Sequence, residues 1–421
     1  MIRNLYSLLM HGAQPLLRRK LRRRGTAEPG YLEAVDERFG LYQDHATPGA
    51  LWIHAVSLGE TRAAALLVQA LRERDPQLRF LFTHGTATGR AEGVKLLREG
   101  DRQVWLPWDT PQAVRRFIAH FRPSVGVLME TEVWPNLAEV CRYAGVPLVL
   151  ANARMSEKSM RQALRLRQLS QPAYSSLRAA WAQTEADAHR LARVGALVAG
   201  VFGNLKFDAR PDPAQLARGR GWRARVAQPV AMFASSREGE EAELFRVLAA
   251  QGASSGLRWL VVPRHPQRFD EVASLARQAG LSVSRRSEWD EQQGPAEADI
   301  WIGDSLGEMA LYYGLADVAL LGGSFLPLGG QNLIEAAACG CPVVMGPHTF
   351  NFAEAAQDAE AGGAAVRVET LDEGVLQAGA LVKDAAALER HVASAQAFAQ
   401  AHGGAAARTA QALLALVSAG R

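Results

Sequence analysis

Cysteine is scarce in this chain of 421 residues, which contains only Cys141, Cys339 and Cys341. Their number and spacing fit neither a disulfide framework nor the paired CxxC arrangement of a zinc site. The sequence therefore favours a reducing compartment.

Long apolar runs are also missing, even at the N-terminus. The most apolar part, residues 5–17, is interrupted by His11, Gly12, Gln14 and Pro15. A helix of about 13 residues spans only ~20 Å, whereas the hydrocarbon core of a bilayer measures ~30 Å. Basic residues follow this segment instead of preceding it, which is unlike a signal peptide. The pattern favours a helix attached to a surface over one that crosses a membrane.

Acidic residues are absent from residues 1–24, which carry seven basic ones. These are Arg3, Arg18, Arg19, Lys20, Arg22, Arg23 and Arg24. The remainder has 40 basic and 43 acidic residues, so the net charge of +4 reflects a cationic head on a near-neutral body. A solvated surface helix is one interpretation. We prefer an interfacial anchor, in which each charge contributes ~1 kcal/mol on an anionic membrane. Nucleic acid is not an expected partner, because no aromatic stacking platform accompanies the cluster.

From residue 50 onward, short apolar runs alternate with amphipathic helical patterns. The first six predicted strands are 51–56, 80–83, 125–129, 146–150, 179–183 and 197–201. The second six are 230–234, 259–262, 281–284, 299–302, 318–321 and 342–345. Continuous apolar strands between helices predict two doubly wound α/β domains with parallel sheets. Their ligands are expected at the carboxyl ends of the strands, in a cleft between the domains.

Composition predicts the domain boundaries. Residues 1–28 form the membrane-proximal segment, and 29–208 the first domain. The Pro- and Gly-containing stretch 209–229 is predicted to be a linker with a short helix. The second domain is predicted over 230–421 and includes an alanine-rich helical tail at 383–418.

Three segments of the first domain carry candidate catalytic groups. Glu60 follows a predicted strand and lies in the first turn of a helix, whose dipole favours an ionised carboxylate such as a general base. Ser57 and Glu60 also fit a capping box, so a purely structural role stays open. Glu130 and Glu132 follow another strand, and Lys206 follows the last strand of the domain. Exposed loop carboxylates are common, and a lone lysine beside a linker is more often solvated surface, so a surface role stays open for all three.

Two segments of the second domain suggest a site for a phosphate group. Ser235 and Ser236 stand between a strand and a helix, where backbone N–H groups can hold phosphate, although an ordinary serine cap fits as well. Arg264 and His265 end the next strand and suit a phosphate or carboxylate. No Asp-x-Asp motif follows the strands of either domain, so we expect neither metal nor cofactor.

A glycine pair, Gly329–Gly330, precedes a predicted helix with Glu335 in its first turn. Glycines permit close backbone approach, and this carboxylate is placed to accept bonds from ribose hydroxyls. The combination favours a nucleotide site. It is not that of a P-loop NTPase, since no GxxxxGK[ST] motif occurs.

Together these motifs resemble the 3-deoxy-D-manno-octulosonic acid (Kdo) transferase family of lipopolysaccharide biosynthesis. The matching blocks include HAVSLGE at 54–60, METEVWPN at 129–136, GNLKFD at 203–208, VPRHPQRF at 262–269, GDSLGEM at 303–309 and GGQNLIEAAACGCPVVMGPHTFNF at 329–352. The resemblance implies a GT-B fold, with two Rossmann-like domains facing each other across a cleft. It also implies transfer of Kdo from CMP-Kdo to a lipid A precursor (lipid IVA), with inversion, at the cytoplasmic face of the inner membrane.

The resemblance also assigns site residues. It implies Glu60 as general base, with Glu130 and Lys206 stabilising the transition state. The residues predicted to bind the nucleotide are Ser235, Ser236, Arg264, His265, Gly307, Glu308, Met309, Gly330, Gln331, Asn332, Leu333, Ile334 and Glu335. The chain departs from the family at His84 and Gly85 and in its less hydrophobic N-terminus.

Two other functions remain open. One is a transferase of the same fold that uses a UDP-sugar, such as the lipid A disaccharide synthase type. The other is a nucleotide-sensing or scaffolding protein that docks on membranes through its basic head.

Overall fold

The computed structural model describes residues 2–43, 46–251 and 256–419. The chain divides into two compact units. The first comprises Met1–Asp208 and Gly403–Arg421, and the second comprises Ala209–His402.

The first unit is built on a parallel sheet that has seven strands within the described residues. They are β1 (Leu51–His54), β2 (Phe80–His84), β3 (Arg102–Trp105), β4 (Val125–Met129), β5 (Leu148–Ala153), β6 (Ala179–Ala182) and β7 (Val198–Val201). Their order is β3-β2-β1-β4-β5-β6-β7. Because the order reverses between β1 and β4, the loops that follow these two strands open a crevice suited to ligands.

Helices cover both faces of this sheet. They are α1 (Ile2–Gly12), α2 (Gln14–Ala27), α3 (Leu58–Arg74), α4 (Ala87–Gly93), α5 (Pro111–Phe121), α6 (Pro135–Tyr143), α7 (Glu157–Arg165), α8 (Arg167–Ser175) and α9 (Glu185–Arg193). Successive side chains of β1 enter opposite cores: Trp52 packs in one, while Leu51 and Ile53 pack in the other. Burial on both faces explains why the strands read as continuous apolar runs.

The N-terminal segment forms two helices, α1 and α2. Pro15 lies in the first turn of α2, where its missing N–H costs no helical hydrogen bond. Tyr6 donates a hydrogen bond to Asp109 (2.9 Å) and Ser7 donates one to Asn136 (2.8 Å), so α1 is fixed to the first unit. No helix in the described ranges is both long and apolar enough to cross a membrane.

The second unit has a parallel sheet with seven strands among its described residues. They are β8 (Val230–Ser236), β9 (Arg258–Pro263), β10 (Val283–Arg285), β11 (Ile300–Ile302), β12 (Val318–Leu321), β13 (Val343–Met345) and β14 (Ala365–Arg367). Their order is β10-β11-β9-β8-β12-β13-β14, which reverses between β8 and β12. The helices are α10 (Pro213–Arg223), α11 (Glu240–Gln251), α12 (Phe269–Gln278), α13 (Met309–Leu315), α14 (Leu333–Ala338), α15 (Ala353–Ala361), α16 (Leu371–Lys383) and α17 (Ala385–His402).

The segment predicted as a linker is instead part of the second unit. Its helix α10 packs closely on α13, since a Cβ added at Gly219 would lie 2.1 Å from the carbonyl oxygen of Leu311. Arg223 also pairs with Asp317 at 2.8 Å. The glycine that looked like a linker signal permits this close helix contact.

The predicted domain of the C-terminal tail is also corrected. Helix α18 (Ala405–Ala419) belongs to the first unit, not the second. It packs on α3 and buries Ala405, Ala410 and Leu413 in the core of that unit. Alanine-rich composition predicts a helix but does not specify which sheet the helix covers.

All twelve predicted strands are confirmed, with ends shifted by up to three residues. The two strands that were not predicted, β3 and β14, are edge strands of their sheets. Only two of the four residues of β3 are buried, and β14 has three residues. Such short, half-exposed strands lack the continuous apolar run on which the prediction depended.

Candidate active site

Glu60 lies in the crevice that follows β1. Ser57 caps α3, because its Oγ accepts a hydrogen bond from the backbone N–H of Glu60 (3.3 Å). The Glu60 carboxylate accepts from the Ser57 hydroxyl (3.1 Å) and from the backbone N–H of Val56 (2.8 Å). The capping arrangement is therefore present, and it fixes the carboxylate at the end of β1.

The ionisation of Glu60 differs from the expectation based on the helix dipole. Burial raises the pKa of its carboxyl, the hydrogen bond from Val56 opposes this shift, and repulsion from Glu130 adds to it. A raised pKa lies closer to neutral pH, and the ionised carboxylate is then a stronger general base. The same interaction shows that Glu60 and Glu130 lie close enough to affect each other.

Glu130 is the first residue after β4, the neighbour of β1. It is buried, with a left-handed backbone conformation (φ 59°) that is rare for glutamate. Arg154 binds its carboxylate at 2.6 Å. Glu132 is half-buried, accepts a hydrogen bond from the indole of Trp134 (2.8 Å), and has a pKa that burial raises. A strained, buried, charge-paired glutamate is typical of functional sites.

The turn that carries Lys206 is attached to the same edge of the sheet through Asn152. Met129 and Ala151 are partners in register, so Glu130 and Asn152 follow them on neighbouring strands. Asn152 also has a left-handed backbone (φ 52°), and its side chain accepts a hydrogen bond from the backbone N–H of Leu205 (3.0 Å). This bond holds the turn that carries Lys206. Sequence reasoning did not assign roles to Asn152 or Arg154, whose importance depends on contacts between distant segments.

Ser235 and Ser236 lie at the end of β8 and not in the first turn of a helix. Ser236 is buried, and its hydroxyl donates to Glu241 (2.9 Å). The helix α11 begins at Glu240, whose carboxylate accepts from the backbone N–H groups of Arg237 (2.9 Å) and Gly323 (2.7 Å). Some of the N–H groups expected to hold phosphate are therefore already paired. Ser235 has a left-handed backbone (φ 54°).

Arg264 and His265 follow β9 and are exposed. Partial burial of the ring lowers the pKa of His265, and repulsion from Arg237, Arg264 and Arg268 lowers it further. Several cations thus surround one imidazole beside the carboxyl end of β8. Arg237 was not predicted, although its place directly after Ser235–Ser236 is a signal that could have found it.

The Gly307–Met309 segment leads into α13. Gly307 has a left-handed backbone (φ 80°), and Arg286 binds the Glu308 carboxylate through two nitrogens, each 3.0 Å away. Met309 is the first residue of α13. The main chain of Gly307 accepts a hydrogen bond from Gln215 (3.0 Å). These contacts fix the loop in place.

The last predicted segment contains Gly330, Gln331 and the short helix α14. Gly330 has a left-handed backbone (φ 75°), and Asn332 caps α14 by accepting from the N–H of Ile334 (3.1 Å). Leu333 and Ile334 are buried in the core, so their side chains are not available to a ligand. Gln331 and Glu335 are half-buried.

The architecture corresponds to a known class of fold. A crystal structure of a glycosyltransferase from Rickettsia africae matches with a TM-score of 0.56 at 12% identity, covering 88% of this chain and 99% of that chain. Two doubly wound units in one chain are the construction of the GT-B fold, and this likeness shows that fold.

Sequence comparison then identifies the family. Residues 33–209 match the family described as 3-deoxy-D-manno-octulosonic-acid transferase (kdotransferase). A 3-deoxy-D-manno-octulosonic acid transferase of Bordetella pertussis is 45% identical over 98% of each chain. That of Haemophilus influenzae is 33% identical over 84% of each. The chain belongs to the 3-deoxy-D-manno-octulosonic acid transferase family.

Proposed function

We propose that this protein transfers Kdo from CMP-Kdo to the lipid A precursor lipid IVA, with inversion at the anomeric carbon. The observation that carries the proposal is the position of Glu60 at the crevice after β1, in a chain of the Kdo transferase family. Its carboxylate is fixed by Val56 and Ser57, and its pKa is raised mainly by burial.

In the proposed reaction, Glu60 removes the proton from an acceptor hydroxyl as its oxygen attacks the anomeric carbon of Kdo. The bond between that carbon and the phosphate oxygen breaks, and CMP leaves from the opposite face. Attack from one face and departure from the other inverts the configuration. A general base of this kind typically contributes ~10²–10⁴ to the rate.

Glu130 and Lys206 stabilise the transition state in this scheme. Positive charge develops on the sugar ring as CMP departs. The negative charge of the buried Glu130 carboxylate can stabilise it. Lys206 supplies a positive charge at the same edge of the sheet. The shared support of both residues by β5 and its end favours a common role.

The second unit binds CMP. Arg264 and His265 lie among the cations that the leaving phosphate requires. The backbone from Gly330 to Glu335, with Ser235 and the loop at Glu308, completes the proposed nucleotide site. We propose that transfer needs no metal and no cofactor, so that a chelator leaves the rate unchanged.

The N-terminus attaches the protein to the cytoplasmic face of the inner membrane as a peripheral anchor. Leu5, Leu8, Leu9 and Leu16 are between 57% and 69% exposed, although they are large apolar residues. The arginines of α2 follow them directly. Apolar side chains beside a basic cluster suit an anionic membrane surface.

Mass spectrometry tests the proposal. Purified protein is incubated with lipid IVA, Kdo and a CMP-Kdo synthetase, and the product is expected to gain the mass of one or more Kdo residues. NMR of the product gives the anomeric configuration. No mass gain, or retention of configuration, contradicts the proposal.

Ligand stabilisation separates the two alternatives. CMP should raise the unfolding temperature more than UDP, whereas a UDP-sugar transferase would respond to UDP. A nucleotide-sensing scaffold would bind CMP without transferring sugar.

A further inference from the structure

Arg154 is the first residue after β5, at the same edge of the sheet as Glu130. Its backbone N–H donates a hydrogen bond to the carbonyl oxygen of Glu130 (3.2 Å). The next residue, Met155, is held through its own backbone N–H, which donates to Asp187 (2.8 Å). The main chain is therefore fixed at this arginine and directly after it, so the side chain extends from a defined position beside Glu130.

The side chains of Arg154 and Glu130 form an ion pair whose members differ in exposure. Nε of Arg154 lies 2.6 Å from a carboxylate oxygen of Glu130. Only 5% of the glutamate side chain is exposed, whereas 59% of the arginine side chain is exposed. The cation is therefore the member of the pair that a molecule entering the crevice meets first.

Part of the Arg154 guanidinium is free to bind a ligand. In the part of the chain that the structure describes, Nε bonds to Glu130, while Nη1 and Nη2 have no hydrogen-bond partner. Their N–H groups form a planar fork that matches the two oxygens of a carboxylate or phosphate. The bond at Nε also restricts rotation of the side chain, so less entropy is lost when a ligand binds.

The charges at this edge of the sheet give the free cation a purpose. Besides burial, repulsion from Glu130 and Glu132 contributes to the raised pKa of Glu60, so these three acidic groups lie close enough to interact. The same negative charges repel an anionic substrate. A cation that meets the substrate here offsets that repulsion. Arg154 supplies such a cation in addition to Lys206.

The donor in the proposed reaction is anionic at the reacting carbon. Kdo is an ulosonic acid, so its anomeric carbon carries a carboxylate as well as the bond to the phosphate of CMP. The acceptor oxygen attacks one face of this carbon and CMP leaves from the other. The carboxylate lies on neither path and projects to the side. A group held beside the proposed base can therefore bind the carboxylate, whereas the departing phosphate moves away from that base.

We propose that Arg154 determines specificity for an acidic sugar by binding the carboxylate of the donor Kdo through Nη1 and Nη2. The inference rests on the proposed function. A neutral sugar would leave the guanidinium fork unpaired, so the protein discriminates against it. The phosphates of CMP and of lipid IVA are other oxyanions that an arginine binds, and the experiment distinguishes them from the carboxylate.

The experiment measures binding of two stable ligands by calorimetry on protein saturated with CMP. They are the methyl glycoside of Kdo and the corresponding carboxamide, which lacks only the negative charge. The unmodified protein should bind the acid about tenfold or more tightly than the carboxamide, because a hydrogen bond to a charged group is stronger. Arg154→Gln should weaken binding of the acid by a similar factor and leave binding of the carboxamide unchanged.

Steady-state kinetics test the same role during transfer. Arg154→Gln should raise KM for CMP-Kdo by about tenfold, while KM for lipid IVA and the affinity for CMP alone stay the same. Arg142→Gln is the matched control. Arg142 also bonds to a glutamate through Nε (Glu139, 3.2 Å) and is 51% exposed, but it lies on α6. It should leave all three values unchanged.

A preference for the acid that persists in Arg154→Gln, or is absent from the unmodified protein, would overturn the assignment. A fall in kcat with the preference unchanged would mean that Arg154 only neutralises Glu130, which also overturns it. Weaker binding of CMP alone would assign the guanidinium to the phosphate of CMP, and a raised KM for lipid IVA would assign it to the acceptor.

Arg154→Lys keeps the charge without the fork and should retain part of the preference for the acid. If Arg154→Gln unfolds, the lysine variant decides the question, and an undiminished preference in it contradicts binding through the fork. Failure of the unmodified protein to transfer Kdo is a different result, which rejects the proposed function. The calorimetric comparison does not depend on transfer, so the two failures are distinguishable.

Discussion

Ser57 and Glu60 bind each other in both directions: the backbone N–H of Glu60 donates to the Ser57 hydroxyl, and that hydroxyl donates to the Glu60 carboxylate. A third bond, from Val56, holds the other carboxylate oxygen. The capping interaction therefore also positions the proposed base. The Glu60 side chain therefore both supports the cap and serves as the proposed base. A test of its catalytic role needs a substitution that removes the base but keeps the side chain hydrogen-bonded.

Glu60→Gln is such a substitution. The amide oxygen can still accept from Val56, and the amide nitrogen, in place of the second oxygen, can donate to the Ser57 hydroxyl, but the side chain can no longer take a proton. We expect kcat to fall by roughly 10²–10⁴, the usual contribution of a general base. The measurement is product formation by mass spectrometry at saturating substrates.

Thermal unfolding provides the control for this variant. A carboxyl whose folded-state pKa is raised destabilises the fold above that pKa, where it is ionised. Removing the charge should therefore leave Tm at neutral pH equal or higher, and the gap should close as pH falls through the folded pKa. A Tm several degrees lower would mean that the activity loss reflects misfolding.

The pH profile tests the coupling between Glu60 and Glu130. A base must be ionised, so kcat/KM should fall on the acid side with an apparent pKa above the ordinary glutamate value of about 4.3. Because Glu130 helps to raise the pKa of Glu60, Glu130→Gln should move this acid limb to lower pH in addition to lowering the rate. Glu139→Gln is the control: it removes a half-buried carboxylate of α6 that is not among the charges shifting the pKa of Glu60, and it should leave the limb in place. If the acid limb of the kcat/KM profile stays at the same pH in Glu130→Gln, the assignment of Glu60 as the base is contradicted.

The sequence was sufficient to predict two doubly wound units because their central strands are buried on both faces. It also places Glu60 and Glu130 at the same edge of one sheet, since parallel strands share a carboxyl edge, but the strand order that makes β1 and β4 neighbours comes from the structure. It could not predict the left-handed backbones of Glu130 and Asn152, because neither is glycine. Their conformations result from contacts between β4, β5 and the turn at Leu205.

Asn152 is expected to position Lys206. Asn152→Ala removes the acceptor for the N–H of Leu205 and puts alanine in a left-handed conformation. We expect a loss of about 1–3 kcal/mol in the free energy of unfolding. We also expect a fall in kcat that Lys206→Ala reproduces without the same loss of stability. Denaturant unfolding and kinetics on both variants check this. If Asn152→Ala lost stability but kept its activity, the proposed link to Lys206 would be wrong.

Membrane attachment should depend on the exposed leucines of α1. Leu8→Asp and Leu9→Asp place charge on the apolar face, while the contacts of Tyr6 and Ser7 with the first unit stay intact. Binding to vesicles that contain anionic lipid should fall at least tenfold in a flotation assay. The exposed Leu376 of α16, changed to Asp, is the control and should bind as before. Unchanged binding of the α1 variants would exclude this helix as the anchor.

Arg264 and His265 give a test of the CMP site that does not depend on transfer. The pKa of His265 is lowered by burial and by repulsion from Arg237, Arg264 and Arg268, so Arg264→Ala should raise it. Binding of CMP should raise it in the unmodified protein for the same reason, since the phosphate offsets the positive charge. NMR titration of the His265 ring measures both changes.

Arg264→Ala should also raise KM for CMP-Kdo by about tenfold, as expected for a charge-assisted bond to phosphate. Arg277→Ala, which removes an exposed arginine from the last turn of α12, is the matched control and should change neither value. The phosphate site lies elsewhere if CMP binds tightly and the His265 titration stays the same. The raised KM for CMP-Kdo and the raised pKa of His265 are expected together, because the cations that lower the pKa of the imidazole are the ones proposed to bind the phosphate.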